Sequence, residues 1–128
     1  MISREDIESF LIRTDLEHEE IGDAIWLVRP AGGTEEPGVV VSYSPPLVVL
    51  RSRIRLAPED EEARLRLFQR LLELNASDLL HGAYGLEDGE IVLTDTLQLE
   101  NLDFSEFRAS LESLTLAVTE HRYELVTD

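Results

Sequence analysis

The chain contains neither cysteine nor lysine. Without cysteine it has no disulfides, thiolate metal sites or thiol nucleophiles. All 11 basic residues are arginine, and 27 acidic residues give a formal net charge of −16 at pH 7. Such a field repels nucleic acid and anionic membrane surfaces, so neither is expected as a partner. The charge either favours basic protein partners or serves solubility alone, and both explanations remain open.

The sequence also has no apolar run long enough to span a membrane. Its first ten residues, MISREDIESF, are acidic and amphipathic, unlike a signal or transit peptide. We therefore expect a cytoplasmic protein with no membrane association. The 128 residues suffice for one hydrophobic core, and a single domain is expected over residues 1–128.

The first 44 residues predict one helix and two strands. Ser3 is a suitable N-cap and Asp6 follows three residues later, so a helix is expected over residues 4–14. Residues 17–23 are acidic, with a turn expected at Gly22-Asp23. Strands are expected over 24–28, with a start near Glu19 as the alternative, and over 39–44, and a loop is expected over 30–38.

Residues 47–56, LVVLRSRIRL, alternate cleanly and predict a strand with two different faces. One face is expected to carry Val48, Leu50, Ser52, Ile54 and Leu56, and the other Val49, Arg51, Arg53 and Arg55.

Three guanidinium groups on one strand face are suited to an anionic ligand or an acidic peptide. The alternative is that Arg51, Arg53 and Arg55 pair with acids on neighbouring strands, such as Glu90 or Glu100. The charge distribution bears on this choice, because the segment 37–57 has no acid while 75–103 has seven acids and no base. These two segments are expected to face each other across the sheet.

A second helix is expected to begin at Pro58, with four acidic residues in the first turn that suit the helix dipole. Its buried stripe is predicted as Leu65, Phe68, Leu71 and Leu72, with Leu67 and Leu74 beside it.

Four apolar residues do not fit a core that lies on one side only: Val49, Leu67, Leu74 and Leu116. They are predicted to line a dimer face or a groove for a segment of a partner protein. The alternative is that the elements are covered on both sides.

The second half of the chain predicts a hairpin and a long final helix. Glu87-Asp88-Gly89 is a turn, because Asp-Gly supplies the positive φ angles of a tight hairpin. The remaining elements are expected as strands over residues 82–86 and 90–99 and a helix over 104–125 that is capped by Asp103.

No catalytic motif is present, and no metal or cofactor is expected. His18 lies among acidic neighbours, but adjacent residues do not converge on one face, so a solvated loop is favoured over a metal site. Asp95 shares the parity of the inward-facing residues of its strand. A β-bulge or bent strand that turns Asp95 outward is favoured over a buried functional acid.

The order of features after residue 70 resembles the YbjN family and the type III secretion chaperone-like fold. A leucine-rich helix ends in L-x-x-N, a strand of small residues leads to a D-G turn, and an alternating strand leads to a final helix. The matching residues are Leu71, Leu72, Asn75, Gly82, Asp88, Gly89, Ile91, Leu93, Leu97, Leu99, Leu102, Asp103, Phe104 and Phe107. The resemblance covers the second half of the chain and agrees with the first half in element order only.

The expected fold is α+β, in the order α-β-β-β-α-β-β-α, with helices packed on a twisted antiparallel sheet of about five strands. The resemblance implies a homodimer without catalysis that binds a segment of another protein, as a chaperone-like or regulatory module. The alternative is a sensor of small anions that uses the face of Arg51, Arg53 and Arg55.

Overall fold

The computed structural model describes residues 1–30 and 37–126. Most of the loop predicted over residues 30–38 therefore lies outside the described residues. In the described part the elements follow in the order α1 (Arg4–Arg13), β1 (His18–Gly22), β2 (Ile25–Val28), β3 (Val39–Ser44), β4 (Leu47–Leu56), α2 (Glu61–Ser77), β5 (Ala83–Glu87), β6 (Glu90–Gln98), α3 (Phe104–Glu120) and α4 (Arg122–Val126).

The described strands form one antiparallel sheet in the spatial order β1-β2-β3-β4-β6-β5. Strands that follow one another in the chain are also neighbours in the sheet, with one exception. After α2 the chain enters the edge strand β5, and β6 lies between β5 and β4. The buried residues of the strands and the helices form one core cluster, so the described helices cover a single face of the sheet. The predicted α+β class and the antiparallel helix-on-sheet architecture are confirmed.

The turn predicted at Gly22-Asp23 lies at residues 23–24, and the residues before it, His18–Gly22, form a separate edge strand β1 rather than an early start of β2. The strand turns back sharply into β2 through Ala24, whose φ is 57°. Opposite residues of the two strands include Glu20 and Trp26. An edge strand with four of five residues exposed carries little apolar signal, which explains why its alternation does not reveal it. The sheet therefore has six strands over the described residues rather than about five.

The start of α1 forms as predicted. The Ser3 main-chain N–H donates to Asp6 Oδ2 over 2.9 Å, and the Asp6 N–H donates to Ser3 Oγ over 3.2 Å. This reciprocal pair satisfies main-chain donors that a helix leaves unpaired at its first turn. Ile7, Phe10 and Leu11, at spacings of three and one residues along α1, form its buried face.

The start of α2 differs from the prediction. Pro58 precedes the helix, and Asp60 is the N-cap, with its carboxylate accepting from the Ala63 N–H over 2.9 Å. A proline suits the first helical position, but here the capping carboxylate two residues later decides the boundary.

The buried face of α2 is rotated relative to the predicted stripe. Leu67, Leu71 and Leu74 are buried at spacings of four and three residues, whereas Leu65 and Leu72 are each 68% exposed. Six apolar residues on one helix allow two overlapping stripes, and packing on the sheet decides between them. The prediction that Leu67 and Leu74 lie outside the core is therefore wrong.

The hairpin of β5 and β6 forms as predicted, with φ of 50° at Asp88 and 80° at Gly89 in its turn. Asp103 caps α3, as its carboxylate accepts from the Glu106 N–H over 2.8 Å. The predicted final helix is divided in two, however. His121, with φ of −92° and ψ of 1°, ends α3 before α4 begins.

Candidate protein-binding surfaces

A β-bulge divides the three arginines of β4 between the two faces of the sheet. On β6, Arg53 lies opposite Val92 and Arg55 opposite Ile91, so Ile54 is an extra residue with no partner of its own. An extra residue reverses the alternation that follows it. Arg55 therefore points to the helix-covered face, where its Nη1 donates to the Leu125 carbonyl over 3.2 Å. The predicted common face of Arg51, Arg53 and Arg55 is wrong.

Arg51 and Arg53 remain together on the open face and meet acids of the neighbouring hairpin. Arg53 Nη1 donates to Glu90 Oε1 over 2.7 Å, and Arg51 Nη1 lies 3.5 Å from Glu87 Oε1. The hydrogen bond that Arg53 donates to Glu90 raises the pKa of Arg53 above its ordinary value. Local pairing with Glu90, the alternative to ligand binding, is thus confirmed for Arg53. The basic and acidic segments also face each other as predicted.

The open face also carries a strip of half-buried aliphatic side chains. Val49 lies opposite Ser42, and Val40 lies opposite Arg51, so these residues are neighbours across β3 and β4. With Arg53 they line a shallow depression of about 180 Å³. Because helices of the described chain pack on the other face only, coverage on both sides is excluded for Val49 over residues 1–30 and 37–126. The strip continues into β2 through Ile25 and Leu27.

A second apolar surface is the groove between α2 and β5. Leu72 is 68% exposed and Leu86 is 51% exposed, while Phe68 between them is half-buried. The groove has a volume of about 240 Å³. Its lining residues are Phe68, Leu71, Leu72, Asn75, Tyr84, Gly85, Leu86 and Ile91.

The outer edge of β5 is partly closed by a side chain of α2. Asn75 Nδ2 donates to the Tyr84 carbonyl over 3.1 Å, and the Tyr84 N–H donates to Asn75 Oδ1 over 2.7 Å. Asn75 was predicted to stop the helix, but α2 continues to Ser77. Since both bond to Asn75, the main-chain N–H and carbonyl of Tyr84 point away from β6, to the outer edge of the sheet. Main-chain groups two residues apart on a strand point the same way, so those of Leu86 also point to this outer edge.

Leu116 lies on a third surface, along the outer side of α3. Its side chain is 57% exposed, as the sequence predicts, and Leu80 in the loop before β5 is 91% exposed. The two residues border a groove of about 300 Å³ whose rim carries Asp78, Glu112 and Glu120. Leu67 and Leu74, the other apolar residues of α2 predicted to bind a partner, contribute to none of these exposed surfaces because they are buried.

Asp95 points inward, contrary to the prediction of a bulge or bend that turns it out. It lies opposite Leu50, a core residue, and its Oδ2 accepts from Ser110 Oγ of α3 over 2.6 Å. Its Oδ1 accepts from the Thr96 N–H over 3.0 Å. The carboxylate is half-buried with these partners, so it needs no bulge to reach solvent.

A buried network surrounds His121, which is 4% exposed, and no pattern in the sequence indicates it. Its Nδ1 lies 2.7 Å from the Tyr84 hydroxyl, and its Nε2 lies 3.3 Å from Asp78 Oδ2. Burial raises the pKa of Tyr84, and hydrogen bonds from Ser77 and His121 lower that of Asp78. The network ties the ends of α2 and α3 to β5 and is structural. His18, in turn, contacts the Leu16 carbonyl through Nδ1 at 3.0 Å.

Neither a metal site nor a membrane span is found in the described parts of the chain. No group of three His, Cys, Asp or Glu side chains converges there in a way that would hold a metal ion. No helix there has both the length and the apolar character to cross a bilayer.

The family model CesT_Tir_1 matches residues 2–127, almost the whole chain. The chain belongs to this family of type III secretion chaperones. The CesT_Tir_1 match confirms the resemblance that rests on residues after position 70, and it extends that resemblance over the first half of the chain. No protein with a curated description matches the sequence significantly.

Solved structures with the same fold include a chain from a type III secretion complex and a YbjN protein, the two groups that the sequence resembles. A chain of the heterodimeric ExoU–SpcU complex from the type III secretion system of Pseudomonas aeruginosa is 23% identical, with 94% of each chain covered and a TM-score of 0.65. YbjN from E. coli, described as a putative transcription regulator, is 13% identical, with 96% of this chain and 93% of YbjN covered and a TM-score of 0.65.

A third structure is a protein from Methanothermobacter thermautotrophicus, which is 12% identical and has a TM-score of 0.69, with 97% of this chain and 96% of that chain covered. At these identities, the likeness establishes the fold of the CesT_Tir_1 protein. Its partners must be argued from its own surfaces.

Proposed function

We propose that this CesT_Tir_1 protein is a non-enzymatic, chaperone-like or regulatory module that forms a homodimer and binds a segment of a partner protein in the cytoplasm. The observation that carries the proposal is that two of the three exposed surfaces are separate apolar surfaces that no described element covers. One is the groove between α2 and β5, and the other is the open-face strip around Val49. Two independent surfaces allow self-association and partner binding at the same time.

The groove between α2 and β5 is proposed as the dimer surface. Its exposed residues Leu72 and Leu86 would meet the same groove of a second copy, since a two-fold dimer uses one patch on both subunits. The outer edge of β5 adds main-chain groups at Leu86 that a second β5 could pair with. Burial of large aliphatic side chains supplies most of the free energy of such an interface.

The open face is proposed as the surface for the partner segment. Val40 and Val49 supply apolar contact there, and Arg51 and Arg53 supply guanidinium groups that bind carboxylates. Arg51 is the less firmly paired of the two, because its contact with Glu87 at 3.5 Å is longer than the 2.7 Å bond of Arg53 with Glu90. A segment with apolar side chains beside an acid would fit this strip.

The dimer surface is tested by light scattering on the purified protein after size exclusion. The wild type is expected at twice the 14.5 kDa of one chain. Leu72→Glu should give a monomer, because two carboxylates would be buried in the apolar interface. Ile12→Glu is the matched control, since Ile12 is equally 68% exposed but lies on α1. A wild-type monomer, or a dimer of Leu72→Glu, would contradict the proposed surface.

The partner surface is tested by reversing Arg51 and Arg53 to Glu and measuring stability and partner capture from native extract. The proposal predicts loss of the partner with the dimer retained. If the two arginines only pair with Glu87 and Glu90, stability should fall while partner capture persists. Arg108→Glu is the control, because Arg108 is an exposed arginine of α3 on the other side of the sheet.

The anion-sensor alternative needs all three arginines of β4 on one face, and the bulge separates Arg55 from the other two. Only Arg51 and Arg53 remain for a ligand on the open face, and Arg53 is paired with Glu90. The protein-binding function is therefore favoured for this face.

A further inference from the structure

The groove beside Leu116 follows one face of α3 for three turns. Six of its lining residues repeat in the i, i+3, i+4 pattern of a single helix face: Ala109, Glu112, Ser113, Leu116, Ala117 and Glu120. At a rise of about 1.5 Å per residue, this stripe is about 17 Å long. The wall opposite is formed by residues 78–81, which lie between α2 and β5. The groove therefore has room for about three turns of a partner helix.

The wall opposite α3 is held to the helix by hydrogen bonds. The His81 N–H donates to Ser113 Oγ over 3.3 Å, and Ser113 Oγ lies 3.4 Å from the His81 carbonyl, to which it donates. Asp78, in the same segment, is tied to the end of α3, with its Oδ2 3.3 Å from His121 Nε2. These contacts form the groove before any partner binds, which reduces the conformational entropy that binding costs.

Exposed leucines border the groove on both walls. Leu116 of α3 is 57% exposed, and Leu80 of the opposite wall is 91% exposed. Half-buried Leu79 and buried Ala117 add apolar lining. No described element covers these side chains. Large aliphatic residues exposed beside an apolar lining are typical of a surface that binds another protein.

The charges around this groove distinguish it from the other two apolar surfaces. Apart from two histidines, its titratable lining residues are all acids, namely Asp78, Glu112 and Glu120. The strip on the open face carries two arginines instead, and the groove between α2 and β5 has no charged lining residue. The three surfaces therefore suit partners of different charge.

Two of the three acids keep their charge without an arginine partner in the described chain. Arg108 lies 3.4 Å from Glu112 and offsets its charge. Asp78 accepts from Ser77 Oγ over 3.0 Å, and hydrogen bonds from Ser77 and His121 lower the pKa of its carboxyl, so it is ionised at neutral pH. Glu120 is exposed and forms neither a hydrogen bond nor an ion pair with its side chain in residues 1–30 and 37–126.

From this geometry we infer that the groove along α3 binds a helical segment of another protein in which lysine or arginine flanks apolar side chains. The apolar residues would contact Leu80 and Leu116, and the basic residues would meet the acids of the rim. None of the described lining residues belongs to a strand, so the groove offers no strand edge to an extended segment, whereas a helix can lay its apolar face into it.

A second copy of the chain does not fit this groove by two-fold pairing. The same acids would then face each other, in a chain that already has a net charge of −16. The groove shares no lining residue with the open-face strip or with the groove between α2 and β5. The inference therefore does not rest on the proposed function, and each can fail alone.

The test is an amide NMR titration of the isotope-labelled full chain with a synthetic peptide of leucine and lysine, with leucine at helical spacing. About 14 residues give a helix of about 21 Å, long enough to fill the groove. We expect saturable shifts at Leu80, Ser113 and Leu116, with a Kd below about 1 mM. The same peptide with glutamate in place of lysine should bind at least tenfold more weakly.

Two pairs of variants separate the apolar and the charged contributions. Leu116→Gln should weaken binding of the lysine peptide about fivefold or more, whereas Leu65→Gln, at a leucine of α2 that is 68% exposed, should leave the Kd unchanged. Glu112→Gln/Glu120→Gln should weaken binding several-fold, and more so at low salt. Glu59→Gln/Glu62→Gln is the matched control, because it removes two exposed charges outside the groove. The amide spectrum of each free variant verifies its fold.

Three results would overturn the inference. Equal weakening by the two double Glu→Gln variants would indicate general attraction of a basic peptide to an acidic protein. Saturable shifts confined to Phe68, Leu72 and Leu86 would place the peptide in the groove between α2 and β5. Binding of the glutamate peptide as tightly as the lysine peptide would contradict the basic character assigned to the partner.

Discussion

The phase of α2 leads to a sharp prediction, because the sequence pattern and the structure assign its leucines to opposite roles. The periodicity of the chain predicts Leu65 in the core and Leu74 outside it. In the structure Leu74 is 0% exposed and Leu65 is 68% exposed. Substituting each with Ala removes the same atoms from the same helix, so the pair separates the two assignments.

The magnitudes follow from burial. Leu→Ala removes three carbon groups, each worth about 0.8 kcal/mol when fully buried, or about 2.4 kcal/mol in total. At Leu74 a residual cavity adds to this loss, and the unfolding free energy should fall by about 3–4 kcal/mol. At Leu65 only about a third of the side chain is shielded, so the loss should stay below about 0.8 kcal/mol.

The assay is urea unfolding of wild type, Leu74→Ala and Leu65→Ala at one protein concentration, since a dimer makes stability depend on concentration. With a slope of about 1–3 kcal/mol per molar urea, the Leu74→Ala midpoint should fall by roughly 1–4 M. Leu65→Ala should unfold near the wild-type midpoint with an unchanged slope. A larger loss at Leu65 than at Leu74 would refute the helix phase described here and restore the stripe predicted from sequence.

Three further predictions concern the hairpin and the first helix. Asn75→Ala should lower the unfolding free energy by about 1–2 kcal/mol by removing both bonds to the Tyr84 main chain, and amide exchange at Tyr84 should accelerate. Gly82→Ala should lower the unfolding free energy, measured by thermal unfolding, by about 1–3 kcal/mol, because φ is 80° and a new Cβ would lie 2.9 Å from a leucine of α3. Gly85→Ala is the control and should leave the unfolding free energy unchanged, because a Cβ there would meet open space. Hydrogen bonds from Ser3 lower the pKa of Asp6 below its ordinary 3.8, so the stability that Asp6 adds is complete above that pH and is lost as pH falls through the lower folded-state pKa. The unfolding free energies of wild type and Asp6→Asn should therefore converge at the lowest pH of an acid titration. A difference that stays constant with pH would contradict this account.

The parts of the fold that the sequence predicts are those fixed by local chemistry. The Ser3–Asp6 capping box, the Asp88–Gly89 turn and the Asp103 cap each involve residues that lie within a few positions of one another. Their geometry depends on the main chain alone, and tertiary packing does not alter it. The alternation of β4 up to Arg53 belongs to this class as well.

The parts that the sequence does not predict depend on distant contacts. The bulge at Ile54 is set by pairing with β6, so the β4 sequence alternates through it without interruption. Asp95 faces inward because Ser110 of α3 supplies its partner. The burial of His121 likewise requires Tyr84 and Asp78 from other elements. No local pattern could have revealed these pairs.

The candidate surfaces were predicted only in part for the same reason. Val49 and Leu116 are on accessible surfaces as predicted, because strand alternation and helix spacing determine their sides. Leu67 and Leu74 are buried, because a leucine-rich helix carries two possible stripes. For the groove beside β5, the sequence offers only the spacing of Leu65 and Leu72. Residues seven positions apart lie on the same side of a helix, and these two leucines are both exposed on α2.

The central claim is that this CesT_Tir_1 protein binds a segment of another protein through the open face of its sheet. The most direct measurement is capture of interacting proteins from native cell extract by the tagged wild type, the Arg51→Glu/Arg53→Glu variant and the Arg108→Glu control, with quantitative mass spectrometry. We expect one protein in near-equal amount with the wild type and the control, and its loss from the double variant. Recovery of no protein besides the chain itself, or equal recovery by all three, would contradict the account.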